Sequence, residues 1–363
     1  MAVGLPMKTT YANGDVWSAS DANDITGTIN ITAAPFAAGK NKLINADCRF
    51  NQRSFTSTTT TGTYGFDRFK LEYTGGTATY SAQTFTAGTA PVSGYEAANY
   101  MRIVTASQSA VGDFAGISQP IEDVRTFAGQ TVAFSVWAKA STGTPKIGFN
   151  VEQAFGTGGS ATVPTSAATQ TITTSWARYT FTITVPSIAG KTIGTGAPQL
   201  NTRIFTSAGT SISAAGYPAV GIQNVTIDLW GWQLEGGTSV ATAFQTATGT
   251  IQGELAACQR YYILYGNGTS RANIVNGWST GTTNSIFAFQ NQMRVVPTSV
   301  DFSTLMVTDQ NTYDLTVTAI TVGGTSNSFT ASVTTSGTAS QYRACSLAQR
   351  NSTTAYVGFS AEL

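Results

Sequence analysis

The sequence predicts an all-β protein, a jelly-roll β-sandwich followed by a smaller C-terminal β domain, with a short N-terminal segment ahead of both. Many short stretches alternate Thr with Val, Ile or Phe, as at 131–138 and 178–185, and this alternation gives a strand one wet face and one buried face. Clusters of Gly, Pro and Ser separate these stretches, as at 154–160. No long amphipathic helix interrupts them, which disfavours a parallel α/β sheet.

The composition excludes several classes of function. Of the 363 residues only 10% are charged, and none is histidine, so a Ser-His-Asp triad is impossible. The net charge of +1 comes from scattered charges with no basic run to neutralise phosphates, so no nucleic-acid partner is predicted. Hydrophobic residues make up 41% and aromatic residues 11%, which indicates a packed chain rather than a disordered one.

Changes in pattern divide the chain into four predicted segments. They are an N-terminal segment, the sandwich, a short helical connector and a C-terminal β domain, at 1–39, 40–248, 249–262 and 263–363. In the first segment Ser18 and Asp21 match a capping box, which predicts one or two helical turns. In the connector Leu255, Cys258 and Tyr262 fall at helical spacing and are predicted to share one face.

The cysteines and the first residues bear on the compartment. Cys48, Cys258 and Cys345 are odd in number and far from any CxxC spacing, so we predict buried small side chains rather than disulfides or a zinc site. The first residues show no charged stretch followed by an apolar one, and no run of about 18 apolar residues could span a membrane. We expect the protein to fold in a cytosol, without membrane insertion.

A set of strings in a fixed order carries a family resemblance. They are residues 41–53 (NKLINADCRFNQR), 64–71 (YGFDRFKL), 119–131 (QPIEDVRTFAGQT), 134–140 (FSVWAKA), 174–179 (TSWARY), 229–237 (LWGWQLEGG) and 254–262 (ELAACQRYY). In this order they resemble bacteriophage tail-fibre and virion-structural proteins that carry a jelly roll similar to carbohydrate-binding modules. The resemblance covers about residues 41–262.

Two further stretches extend the resemblance. Residues 292–297 (QMRVVP) and 357–363 (VGFSAEL) are similar to the small C-terminal β domain of such fibres, and residues 10–24 are similar to leader segments of phage structural proteins that dock onto the particle. The resemblance implies a virion component, assembled in the host bacterial cytoplasm and often homotrimeric. For the contact with other phage proteins it implies an attachment segment at 1–39, with the residues Trp17, Asp21, Asn23 and Asp24.

Aromatic side chains are the first candidates for contact with a sugar, because an aromatic face suits the apolar face of a pyranose. Strict alternation along 229–234 would place Trp230, Trp232 and Leu234 on one strand face and Leu229 on the other. The neighbouring predicted strands are hydrophobic. We therefore predict core packing for Trp137, Trp176, Trp230 and Trp232.

Trp278 is the predicted ligand-binding residue. It lies in the polar, glycine-flanked stretch 276–281, which predicts a loop, and an exposed loop aromatic is a candidate for recognition. The alternative is that Trp278 packs on a neighbouring subunit or domain.

Acidic residues raise two more alternatives. Modules of the resembled fold often hold a structural calcium ion, and Asp47 with Asp228 or Glu235 are the matching acids, but the sequence does not bring them together. A glycan depolymerase needs two cooperating carboxylates, for which Glu122, Asp123 and Glu96 are the candidates. Glu122 and Asp123 would point to opposite faces of an extended strand. We predict no catalytic residue, no metal and no cofactor.

The predicted function is a non-enzymatic structural component of a phage virion, a tail-fibre or receptor-binding protein that contacts host surface glycans. Its mechanism would be avidity, because identical copies held together make many weak contacts at high effective concentration. The alternatives are a head-fibre or capsid-decorating protein without a receptor role, and a glycan depolymerase.

Overall fold

The computed structural model describes residues 39–266, 268, 272–308 and 314–363. The first part of the chain forms a two-sheet β-sandwich, which confirms the predicted fold class. Its elements, in chain order, are β1 (Ser57–Thr58), β2 (Lys70–Thr74), β3 (Thr77–Thr84), β4 (Asn99–Ala106), β5 (Phe114–Glu122), β6 (Thr131–Ala140), β7 (Lys146–Ala154), β8 (Val163–Ser166), β9 (Gln170–Thr171), β10 (Ala177–Thr184), β11 (Gln199–Ala208), the short helix α1 (Thr210–Ala214) and β12 (Thr226–Gly236).

The order of the strands is that of a jelly roll. The first sheet runs β1-β3-β4-β12-β6-β10, and the second runs β2-β5-β11-β7-β8, with β9 paired to β7. From β4 onward the chain crosses between the sheets at almost every step, and β7 and β8 alone form a hairpin within one sheet. The blocks β4-β12-β6-β10 and β5-β11-β7-β8 are the two four-stranded halves that define this architecture.

The core lies between the two sheets. Phe134 of β6 stacks on Phe149 of β7, with ring centroids 3.9 Å apart and planes inclined by 4°. Trp232 of β12 contacts Phe134 at 5.5 Å and Phe69 at 5.2 Å between centroids. Phe134 points into the core. Because side chains alternate along a strand, Trp137 and Lys139 of the same strand lie on the outer face of the first sheet.

A bulge in β12 overturns one sequence prediction. The register against β6 shifts between Trp230 and Gln233, and Gly231 there has a φ of 67°. The extra residue turns Trp230 to the outer face, where it contacts Trp137 at 5.5 Å, whereas Trp232 points into the core. The predicted burial of both tryptophans is confirmed. The prediction that they share one face was wrong, because strict alternation fails at a bulge.

The last part of the chain forms helix α2 and a second, smaller β unit, as predicted. Its elements are α2 (Ile251–Gln259), β13 (Tyr262–Gly266), β14 (Asn273–Ser279), β15 (Asn284–Phe289), β16 (Ser299–Ser303), β17 (Leu305–Thr308), β18 (Leu315–Gly324), β19 (Phe329–Thr335), β20 (Ala344–Gln349) and β21 (Tyr356–Ser360). Six strands close a barrel in the order β14-β15-β19-β18-β17-β20, and β13-β21-β16 form a separate sheet. In the ranges that the structure covers, no helix has the length and apolar character needed to cross a membrane.

Helix α2 differs in detail from the predicted connector. Thr250 caps it by accepting a hydrogen bond from the backbone N–H of Gly253 at 3.1 Å. The buried side chains of the helix are Glu254 and Cys258, and Tyr262 already belongs to β13, so the predicted face ending at Tyr262 was wrong. Burial raises the pKa of Glu254. All three cysteines are buried and free, as predicted.

An ionic junction joins the sandwich to the barrel unit. Glu362, next to β21, forms ion pairs with Arg68, which is fully buried, and with Arg53 at 3.3 Å. Glu122, at the end of β5, accepts a 2.9 Å hydrogen bond from Arg260, which follows α2. Because an unpaired buried charge is costly, Arg68 depends on Glu362 as its counter-charge, whereas the Glu122–Arg260 pair is partly exposed.

Candidate functional site

The outer face of the first sheet carries a cluster of aromatic and charged side chains on neighbouring strands. Tyr100 and Arg102 come from β4, Asp228 from β12 and Lys139 from β6, and Asp228 lies opposite both Arg102 and Lys139 in the strand register. Two rings join them from the flanking segments after β3 and before β10. The resulting surface, here called the shelf, consists of Phe85, Tyr100, Arg102, Lys139, Trp176 and Asp228.

The three rings of the shelf pack against one another and remain partly exposed. The centroids of Phe85 and Tyr100 are 4.7 Å apart, and those of Phe85 and Trp176 are 5.6 Å apart. Tyr100 and Trp176 meet edge to face, at 5.5 Å and 87°. Trp176, for which core packing was predicted, is therefore only partly buried. Mutual packing holds the rings in place, which makes them a preorganised surface.

The charged side chains form a tight group around one carboxylate. Arg102 donates from Nε and Nη2 to the two oxygens of Asp228, at 2.6 and 2.9 Å. Nζ of Lys139 lies 3.5 Å from Oδ2 of Asp228 and 5.2 Å from the centroid of the Trp176 ring. The Asp228 side chain is 4% exposed, whereas those of Arg102 and Lys139 are 33% and 30% exposed. The shelf therefore presents cations to solvent and holds its carboxylate inward.

Asp228 raises the pKa values of two other residues of the shelf. Its hydrogen bonds raise the pKa of Arg102, which therefore stays protonated at any physiological pH. Burial, and secondly the charge of Asp228, raises the pKa of the Tyr100 hydroxyl. That hydroxyl stays neutral and is available both as a donor and as an acceptor.

A second layer of rings supports the outer face next to the shelf. Trp230 is fully buried there, beneath Phe244 at 4.8 Å and Tyr95 at 5.8 Å between centroids. Its Nε1 donates to the backbone oxygen of Asp47 at 3.1 Å. Trp137 packs on Trp230 and Phe244, which confirms its predicted burial, although it is buried on the outer face. Trp137 and Trp230 thus have a structural role, and the partly exposed rings of the shelf lie beside them.

Trp278 is exposed, but it lies in strand β14 and not in a loop, so that part of the prediction was wrong. Its side chain is 48% exposed, and that of Tyr342 is 79% exposed. The backbone N–H of Tyr342 donates to the oxygen of Ser279, the residue after Trp278, at 2.8 Å. Trp278 and Tyr342 are thus two exposed aromatic residues of the barrel unit, here called the barrel pair.

The glycine before Trp278 has a packing role. Gly277 pairs with Phe287 of β15, and a Cβ at Gly277 would lie 2.6 Å from the Phe287 ring and 2.1 Å from the oxygen of Ile286. Glycine in a strand often marks such a close approach rather than a turn. Because Gly277 faces the filled barrel interior, Trp278 faces outward.

The acids considered as calcium ligands each have their own partner. Asp47 accepts from Nε of Arg49 at 3.1 Å, and Glu235 accepts from the backbone N–H of Thr242 at 2.9 Å. Asp228 is held by Arg102 in the shelf. Among residues 39–266, 268, 272–308 and 314–363, no group of three or more His, Cys, Asp or Glu side chains lies close enough to hold a metal ion.

The carboxylates considered for catalysis also take separate partners. Glu122 binds Arg260 at the junction, and Asp123 binds Nη1 of Arg125 at 2.7 Å. The residues implied for attachment to other phage proteins lie outside the residues that the structure describes; they are Trp17, Asp21, Asn23 and Asp24.

Sequence reasoning did not single out Tyr100, Arg102 or Lys139. One signal was available, since Lys139 follows Trp137 by two residues and must share its strand face. The pairing of β4 and β6 through β12 was not available, because β12 lies far along the chain from both. That pairing is what brings Arg102 and Lys139 to one carboxylate.

No family model matches the chain, and no curated protein matches its sequence. Solved structures similar to part of it include the enzymatically active domain of tailspike protein 4 from bacteriophage CBA120, at 13% identity and a TM-score of 0.32, over 54% of this chain and 21% of that chain. The matched part is thus about a fifth of the tailspike domain.

Two carbohydrate-binding modules from Clostridium thermocellum are also similar to part of this chain. The C-terminal family 22 module of Xyn10B has 14% identity and a TM-score of 0.34, over 56% of this chain and 99% of the module. A family 11 module has 11% identity and a TM-score of 0.31, over 51% of this chain and 99% of the module.

Proposed function

We propose that this chain is a non-enzymatic structural component of a phage virion, a tail-fibre or receptor-binding protein that contacts host surface glycans through the shelf. The observation that supports the glycan contact is the partly exposed ring cluster of Phe85, Tyr100 and Trp176 beside Arg102 and Lys139. A sugar has apolar faces that stack on rings and hydroxyl edges that bond to charged groups. The shelf offers both on a rigid sheet.

The shelf lacks the arrangement that glycan cleavage requires. Most glycosidases use two carboxylates, about 5–10 Å apart, on either side of the scissile bond. Asp228 is the carboxylate of the shelf, and both of its oxygens are held by cations. This supports a binding role over hydrolysis.

The virion assignment rests on the ordered strings that resemble phage structural proteins. In this proposal the segment 1–39 docks onto the particle, through Trp17 and the acids and amide that follow it, and the two β units project outward. A homotrimer would present several shelves at once, so that weak contacts act together. We propose the barrel pair, Trp278 with Tyr342, as a further ligand contact.

The experiment is a glycan array probed with the full chain and with the variants Trp176→Ala and Trp278→Ala. We expect Trp176→Ala to lower the affinity for the best glycan by at least about tenfold, as for a central aromatic contact. Val240→Ala, which truncates an exposed side chain outside both surfaces, is the matched control and should bind as the parent does. A loss with Trp278→Ala and not with Trp176→Ala would move the site to the barrel pair.

Two results would overturn the proposal. Absence of binding to every glycan, together with labelling of intact particles by an antibody to the chain, would favour the head-fibre or capsid-decorating role. Release of reducing ends from host polysaccharide would make the chain a depolymerase.

A further inference from the structure

We propose that the shelf selects glycans that carry a carboxylate, with Lys139 as the side chain that contacts it. This inference rests on the proposed function of the shelf and narrows its ligand to acidic sugars of the uronate type. It is argued from the charges and the hydrogen-bonding capacity of Arg102, Lys139 and Asp228.

The shelf has an excess of one positive charge. Arg102 and Lys139 contribute two positive charges and Asp228 one negative charge. The cations are about one-third exposed and the carboxylate is buried beneath them. One ligand carboxylate would neutralise this excess, and charges interact more strongly at a partly dehydrated surface than in open water.

The donors of the shelf outnumber its acceptors. A guanidinium has five N–H groups and an ammonium has three. Arg102 donates to Asp228 from Nε and Nη2, which leaves Nη1 without a contact to that carboxylate. Nζ of Lys139 lies 3.5 Å from one oxygen of Asp228. Both Asp228 oxygens are already taken. A ligand that only accepts fits this surface better than hydroxyls that also donate, and a carboxylate only accepts.

Lys139 is placed to contact a ligand carboxylate while the sugar stacks on the rings of Trp176 and Tyr100. Its Nζ lies 5.2 Å from the centroid of the Trp176 ring and 5.9 Å from that of Tyr100. A sugar stacked on these rings would bring an exocyclic carboxylate within reach of the ammonium. Glu235, which also lies on this face, is held by Lys40 at 3.5 Å and by Thr242, and Asp47 is held by Arg49 at 3.1 Å, so neither acid cancels the excess.

The test compares two polymers with the same backbone, polygalacturonate and its fully methyl-esterified form, by binding to the full chain. We expect the parent protein to bind the acid at least about tenfold more tightly than the ester, the size of one charge-assisted hydrogen bond. Lys139→Gln should remove this preference, because it lowers the affinity for the acid about tenfold more than the affinity for the ester.

The matched control is Lys191→Gln. Lys191 also lies over an aromatic ring, 6.0 Å from the centroid of Phe155, but away from the shelf. Lys191→Gln should leave the affinities for the acid and for the ester unchanged. A thermal unfolding midpoint equal to that of the parent would show that Lys139→Gln is folded, which is expected because Arg102 still holds Asp228.

The outcomes separate this inference from the proposed function. Equal binding of acid and ester, or an equal loss of both with Lys139→Gln, overturns the carboxylate inference and leaves glycan binding intact. Equally tight binding of dextran sulfate that is insensitive to Lys139→Gln would mean attraction by charge alone, and it also overturns the inference. Absence of binding to both polymers and to every array glycan overturns the proposed function itself.

Discussion

Arg102 on β4 and Asp228 on β12 lie opposite each other across neighbouring strands, and the guanidinium holds both carboxylate oxygens, at 2.6 and 2.9 Å. A paired, two-point contact of this kind fixes the orientation of both side chains. Since Lys139 approaches the same carboxylate from β6, one buried acid positions both cations of the shelf. The stability of the sheet and the form of the proposed binding surface therefore depend on the same residue.

We expect Asp228→Asn to destabilise the protein by about 2 kcal/mol, because it removes charge-assisted hydrogen bonds and leaves two cations without their acid. The measurement is urea unfolding followed by tryptophan fluorescence. The matched control is Asp123→Asn, which breaks the exposed pair with Arg125 and should cost less than about 1 kcal/mol. Equal costs for the two variants would show that the Arg102–Asp228 pair contributes no more than a surface ion pair.

The bulge at Gly231 makes a second prediction. Gly231→Ala combines a positive φ with a Cβ only 2.8 Å from the Trp137 ring. Gly237→Ala has a similar φ of 71°, but its Cβ would meet nothing within 4 Å. The control therefore carries the backbone strain alone, about 1–2 kcal/mol.

Gly231→Ala should be the more destabilising of the two, by at least about 1 kcal/mol, because Trp137 is packed and cannot move freely. Its near-ultraviolet circular dichroism should also change, since Trp137 and Trp230 are in contact. If the two alanine variants unfold at the same urea concentration, the bulge tolerates a side chain and Trp230 is not held by it.

Gly231 and Gly277 show which features a local sequence pattern does not predict. The alternation of Thr with Val, Ile and Phe is a local property, so it correctly predicted β6, β10 and the two-sheet core. The role of Gly231 depends on a ring from β6, and that of Gly277 depends on Phe287 of β15. Neither neighbour can be identified before the strand order is known.

The shelf was missed for the same reason. Tyr100, Arg102 and Lys139 are each unremarkable in the sequence, and they form a surface only because β12 lies between β4 and β6. Trp278 could be predicted as exposed from its polar neighbours, although its strand could not. Local patterns therefore predicted the fold class, whereas the candidate site depended on contacts between distant parts of the chain.

The junction between the sandwich and the barrel unit makes a third prediction. Glu362→Gln would leave Arg68 buried without its counter-charge, and such a loss typically costs about 3–5 kcal/mol. We expect lower stability in urea and faster proteolytic cleavage near α2, where the two units join. Glu96→Gln is the control, because Glu96 is exposed and accepts from the backbone N–H of Gly88 at 3.2 Å. Unchanged cleavage near α2 in Glu362→Gln would show that the ionic junction does not hold the units together.

Asp67 at the same junction predicts a pH dependence of stability. Burial raises its pKa to about 6, against the opposing effects of Arg53 and Gln52. An ordinary Asp has a pKa of about 3.9. Between these values the folded protein binds more protons than the unfolded chain at this site. The stabilising contribution of Asp67 to the unfolding free energy is thus fully present below about pH 4 and is lost as the pH rises through about 6.

We expect Asp67→Asn to reduce the fall in unfolding free energy between about pH 4 and pH 7.5 by about 2 kcal/mol relative to the parent. Part of the fall should remain, because burial also raises the pKa values of Glu254 and Asp301. Urea unfolding at a series of pH values measures the profile, with Asp123→Asn as the exposed control. Parallel profiles for the parent and Asp67→Asn would mean that Asp67 titrates in the folded protein as it does in the unfolded chain.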